Sequence, residues 1–179
     1  DLPADGRKVI LVDTDHLWGL GGNPDWVWKS FTRGYQSIFM DLDEPRFPKH
    51  VKVEHHEVWT STRRAMGHAS ALAKRIPLEA MRPDSEIASS AYCLTNRESS
   101  YVVYLPVDYY GSNQRTVAGK MLRFLFRKEM IKKKVTVDLS ATPTPLVVEW
   151  FNVGTGETVV VGETNGGGSQ HFTMATKCS

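Results

Sequence analysis

The stretch Lys8 to Asp41, KVILVDTDHLWGLGGNPDWVWKSFTRGYQSIFMD, decides the fold. Val9 to Val12 are all apolar and run straight into Asp13, Thr14, Asp15 and His16. A short apolar run bounded in this way reads as a strand buried on both faces, with its carboxylates at the carboxyl end. After a glycine-rich turn at Gly19, Gly21 and Gly22, Asn23 and Pro24 supply an N-cap and a first-turn proline, and Asp25 sits where the helix dipole favours negative charge. A helix of about ten residues should follow, carrying Trp26, Val27, Trp28 and Phe31, and stop at Gly34. Ser37 to Met40 then reads as a second buried strand, again ending in an acid, Asp41. Strand, helix and strand with acids at the strand tips is the repeating unit of an α/β sheet or barrel, where sites collect at the carboxyl ends.

Working outward, residues 1–7 read as a loop. Residues 42–57 hold two prolines, mixed charges and three histidines, which predicts a long irregular connection over the same end of the strands. From Val58 to Ile76 apolar residues recur at three- and four-residue spacing, the pattern of an amphipathic helix capped at Thr60, Ser61 or Thr62 and ended by Pro77. Gly67 in its middle costs about 1 kcal/mol against alanine, which predicts close packing there. Residues 77–88, with Pro77, Pro83 and Asp84, read as the linker to a second domain, so the expected division is 1–88 and 89–179.

Beyond Ser89 the period changes to two. Tyr92–Thr95 and Tyr101–Leu105 form an expected hairpin, followed by Val135–Leu139, Leu146–Phe151, Thr158–Val161 and His171–Met174, with glycine-rich turns between the later segments. Short strands at this spacing predict an antiparallel β-sandwich. The interruption is 107–134, where Met121, Leu122, Phe124 and Leu125 lie among Lys120, Arg123, Arg127 and Lys128. It reads as an inserted basic helix, which either lies solvated over the sandwich edge or meets an anionic surface or partner.

These strings are similar to a known family. Asp13-Thr-Asp-His-Leu-Trp-Gly19, Trp26-Val-Trp-Lys-Ser-Phe31 and Ile38-Phe-Met-Asp41 resemble the end of the barrel in mostly bacterial, secreted, glycoside-hydrolase-like proteins. Ala91-Tyr-Cys-Leu94, Tyr101-Val-Val-Tyr-Leu-Pro106, Val135-Thr-Val-Asp-Leu-Ser140 and Val148-Glu-Trp-Phe-Asn152 resemble the small β-sandwich that follows it, labelled a collagen-binding domain of a collagenase. The resemblance implies an α+β two-part chain. A βαβα segment stands for the last two units of a (β/α)8 barrel, and a β-sandwich with the insertion follows. It also implies an extracellular, secreted protein acting on or binding a polysaccharide or glycoside. Residues 1–6 carry no signal-peptide pattern, so the sequence reads as starting mid-chain.

Chemistry is expected at Asp13 and Asp15. Glycoside hydrolysis uses two carboxyl groups about 5–10 Å apart, and alternate residues of a strand share a face at roughly 7 Å between Cα atoms. The same two aspartates have a structural use, capping the glycine turn or binding His16 or Arg33. Similar barrel hydrolases place the acid on the fourth strand and the nucleophile on the seventh, both usually glutamate. This sequence has aspartates at the seventh-strand position and lacks the fourth, so no turnover is expected from the chain alone. His16, Trp18 and Asp41 are the expected substrate-binding residues. Trp18, Trp26 and Trp28 can stack on sugars, although helical spacing favours a core role for the last two. Two parallel strands cannot close a barrel, so their apolar flanks need a cover: the sandwich, a second copy or a partner chain.

Several classes are excluded. A net charge of +2 gives no footing for nucleic acid, and the longest apolar run falls far short of the roughly 18 residues of a membrane span. His50, His55, His56 and His68 lack zincin spacing, so no metal and no cofactor is expected. No Gly-x-Ser-x-Gly or cysteine-protease arrangement is present. Of the two cysteines, Cys93 reads as a buried thiol, with pairing to Cys178 as the alternative.

Overall fold

The computed structural model describes residues 4–14, 22–39, 54–106 and 134–174, with the side chains of the second helix described from Thr60 onward. Over these residues the protein is a mixed α+β chain with two helices, one parallel strand pair and several small antiparallel sheets.

The first strand, β1 (Ile10–Asp13), runs parallel to β2 (Tyr35–Ile38), in register from Ile10 opposite Tyr35 to Asp13 opposite Ile38. β1 begins one residue after the expected Val9 and β2 two residues before the expected Ser37, and the expectation of two buried faces fails. Ile10 and Val12 are half-buried, whereas Val9 is 76% exposed, Leu11 62% and Ile38 43%. The helices cover one face only, and no described residue covers the other.

Between the strands lies α1 (Pro24–Thr32). Its start follows the capping prediction: Asn23 is extended, and its Oδ1 accepts from the Trp26 N–H at 2.8 Å. Its end follows too, because Gly34 takes the left-handed conformation at φ +74 where a side chain would press on Pro83 and Ala4. The second helix, α2 (Glu54–Ala73), starts four residues before the expected Val58. Polar residues at its start hid that first turn. Thr62 is therefore no cap: it is fully buried inside α2 and donates Oγ1 to the Gly22 carbonyl at 2.7 Å.

The expected linker is structural. After a single 3-10 turn at Leu78–Ala80 comes β3 (Arg82–Pro83), which pairs antiparallel with β4 (Cys93–Thr95). Proline fits there because β3 is an edge strand. Ile87 and Ala88 are core residues, and their backbone bonds to β6 (Lys134–Asp138) through Asp138 N–H to Ile87 O and the Ala88–Val137 bridge. The remaining strands fall close to expectation. β5 (Tyr101–Val103) pairs with β4, β6 with β9 (Ser169–Thr173), and β7 (Leu146–Phe151) with β8 (Thr158–Thr164) across a bulge at Val148 and Glu149.

Two cores result. One gathers Ile87, Cys93, Val135, Val137 and Leu139 among the antiparallel strands. The other joins the two halves of the chain: Val27 and Trp28 of α1 and Ala65 and Ala69 of α2 pack with Tyr104, and against Tyr92, Phe151 and Val153. Cys93 is 1% exposed, and burial first, then the Asp84 carboxylate, pushes its thiol up to about 12. Cys178 and the expected basic helix lie outside the described residues, apart from Lys134 at the start of β6.

Candidate functional site

Asp13 is the one expected site residue within the described set. It is the last residue of β1, and it is exposed on the same face as Val9 and Leu11, since side chains alternate along a strand. The next residue, Thr14, is 3% exposed and turns into the protein. Asp15, His16, Trp18 and Asp41 all lie outside the described residues, so the expected carboxylate pair is described at one member only.

The far end of the connection after Asp13 is firmly held. Gly22 is buried against Trp26, and a Cβ there would stand 2.1 Å from the indole. Its carbonyl accepts the Thr62 bond, and Asn23 starts α1 directly afterwards. Glycine is thus required by close approach at this point, and α2 holds the Gly22 backbone through Thr62. Trp28 is 2% exposed and Trp26 half-buried, so Trp28 is core and has no free face for a sugar. Its ring stacks on Tyr104 at 6.3 Å between centroids, meets Phe31 edge-on at 6.0 Å and lies 5.5 Å from Phe151.

A second polar constellation was missed in the sequence. Asp25 accepts from the Tyr104 hydroxyl at 2.8 Å and pairs with Lys29. Lys29 and Arg33 both lie over the Tyr92 ring, the guanidinium at 4.5 Å from its centroid. The available signal was the spacing of Asp25, Lys29 and Arg33, one charged stripe at four-residue intervals on α1. The arrangement ties α1 to the residues around β4 and β5.

His68 is held by the β half. A carbonyl only accepts, so the 3.1 Å contact with Val153 O requires the proton on Nδ1. The ring also meets Phe151 edge-on and crowds Gly156. Beyond the end of α2, Arg75 donates to Thr158 Oγ1 at 2.8 Å and to Glu149 Oε2 at 3.1 Å, so α2 and the turn after it both hold the β7–β8 hairpin. His50 lies outside the described residues, and among those described no three His, Cys, Asp or Glu side chains converge as metal ligands. No helix among them is long and apolar enough to cross a membrane. Compared with known proteins, the chain matches no family model, no curated protein and no solved structure.

Proposed function

We propose that residues 1–88 form the closing part of a carbohydrate-active α/β domain of the glycoside-hydrolase-like type, secreted, with Asp13 lining a site for a polysaccharide or glycoside. The observation that carries the reading is the position of Asp13: a carboxylate at the carboxyl tip of a parallel strand, on the strand face that no described residue covers. Sites in parallel α/β folds collect at that end. The exposed Val9, Leu11 and Ile38 on the same pair support further strands, from a longer chain, a second copy or a partner, as the missing cover.

Hydrolysis needs two carboxyl groups in different protonation states. By resemblance the acid stands on an earlier strand, so the 179-residue chain is expected to bind without turnover. Affinity electrophoresis through soluble polysaccharides, alongside a panel of aryl glycosides, tests this. Retardation by one polysaccharide, weakened by Asp13→Asn and without hydrolysis, is the expected result. Turnover abolished by Asp13→Asn would overturn the inactive half-site, and no retardation by any polysaccharide would overturn the sugar site.

A second reading makes the β half a non-catalytic binding or assembly module for carbohydrate or extracellular matrix. It is favoured by the exposed Val147, Val159, Val160 and Val161 on the β7–β8 ribbon. Pull-downs with polysaccharide and with collagen that respond to Val160→Glu and ignore Asp13→Asn would select it.

A further inference from the structure

At the opposite end of β1 from Asp13, a cavity of about 660 Å³ opens between the starts of β1 and β2, the two helices and residues 78–83. That volume is in the range of small-molecule sites, about 300–1,000 Å³. Val27, Phe31, Met66, Met81 and Leu94 make one apolar wall, with Val27, Met81 and Leu94 almost wholly buried, and the polar residues Gln36, Ser37 and Ser70 also belong to the lining. Its mouth is cationic. Arg7, Lys8 and Arg82 are exposed lining residues, and no Asp or Glu among the described residues lines the cavity.

The three cations are not equivalent. Arg7 is shared with Asp5, Nε to Oδ2 at 3.5 Å, in a pair exposed enough to be weak. Arg82 is oriented by its own backbone: Nη1 donates to the carbonyls of Met81 at 2.7 Å and Glu79 at 3.2 Å. Among the described residues, no acceptor takes the Nε and Nη2 donors of this oriented guanidinium, which stands at the mouth beside the apolar wall. A planar fork of this kind matches a carboxylate. From this geometry we infer that the cavity binds a small amphipathic carboxylate, its alkyl or aryl body among Phe31, Met66 and Met81 and its head group at Arg82 and Lys8. The inference stands apart from the proposed sugar site at Asp13.

The test is titration calorimetry of the full 179-residue chain with octanoate and with octanol, its uncharged counterpart. Octanoate is expected to bind more tightly than octanol. Arg82→Gln, at an exposed position, should weaken octanoate about tenfold, the scale of one charge-assisted pair, and leave octanol unchanged. Ser70→Trp, from an exposed lining position of α2, should fill the cavity and abolish binding of both. Glu163→Gln, at an exposed position of β8 that does not line the cavity, should change neither. The inference is overturned if octanoate and octanol bind alike, if Arg82→Gln leaves octanoate binding unchanged, or if binding survives Ser70→Trp in a chain whose circular dichroism is intact.

Discussion

Replacing Trp28 with alanine tests whether the two halves of the chain share one core. The ring is 2% exposed and contacts Phe31 on its own helix, Tyr104 after β5, and Phe151 at the end of β7. Truncating a buried tryptophan costs about 3–5 kcal/mol through lost transfer energy and the cavity left behind. The indole Nε1 is buried without a hydrogen-bond partner among the described residues, a feature that itself costs about 1–3 kcal/mol and disappears with the ring. The expected loss therefore falls near the lower end, about 3 kcal/mol, or about 6–12 °C in Tm for a chain of this size. Trp28→Phe keeps a ring against Tyr104 and Phe151 while removing the orphan N–H, and should cost about 1 kcal/mol or less. The assay is thermal and urea unfolding followed by far-ultraviolet circular dichroism and by near-ultraviolet aromatic signals. Both probes should shift together in a single transition. Separate transitions, with the β half melting as in the wild type, would refute the shared core, as would a Trp28→Ala shift below about 2 °C.

Two further outcomes follow from particular residues. Gly67→Ala should stabilise the protein by about 1 kcal/mol and raise Tm by about 2–4 °C, because a Cβ there meets nothing within 4 Å and the exposed helix interior gains alanine's propensity; differential scanning calorimetry checks it, and a lower Tm would mean hidden packing. Cys93 gives an alkaline signature. Its folded thiol titrates at about 12 against 9.0 for the ordinary group, so its contribution is intact below pH 9 and is lost as pH rises towards 12. With three pH units between the two values, the loss approaches about 4 kcal/mol at most. The difference in stability between wild type and Cys93→Ala, measured from pH 8 to 11, should therefore shrink with rising pH, and a constant difference would contradict the buried thiol.

What could be read from the sequence was local. The Asn23 cap, Pro24 and Gly34 bracket α1 within a residue or two, because capping is chemistry between neighbours. The β7 segment was legible to the residue, since alternation and the flanking turns act over a few positions. What escaped depends on distant partners. Pro77, Pro83 and Asp84 look like a linker in isolation, yet Met81, Ile87 and Ala88 are buried once β4 and β6 lie beside them. Gly67 reads as a packing residue, yet among the described residues no atom lies within 4 Å of a Cβ placed there. Of the candidate site, only Asp13 lies within the described residues, and its strand-tip position is where the apolar run ending in acids put it. The Asp25–Tyr104 bond spans 79 positions and left only a charge stripe to find it by.

The uncovered face of β1 and β2 follows from the same limit on local information. An apolar run such as Val9 to Val12 specifies a strand, but it is the same whether helices cover one face or both. α1 and α2 cover one, and Val9, Leu11 and Ile38 are left toward water, where fully burying each such side chain would contribute roughly 1.5–3 kcal/mol. Under the proposed function, whatever covers that face gains several kcal/mol from the three residues together, and it must meet Asp13 at the strand tip as it does so. Assembly and carboxylate placement would then be one event: the contact that removes the apolar surface from water also sets the walls around the acid. Leu11→Lys should accordingly weaken both self-association or partner binding and any polysaccharide affinity, whereas Asp13→Asn should weaken the second alone.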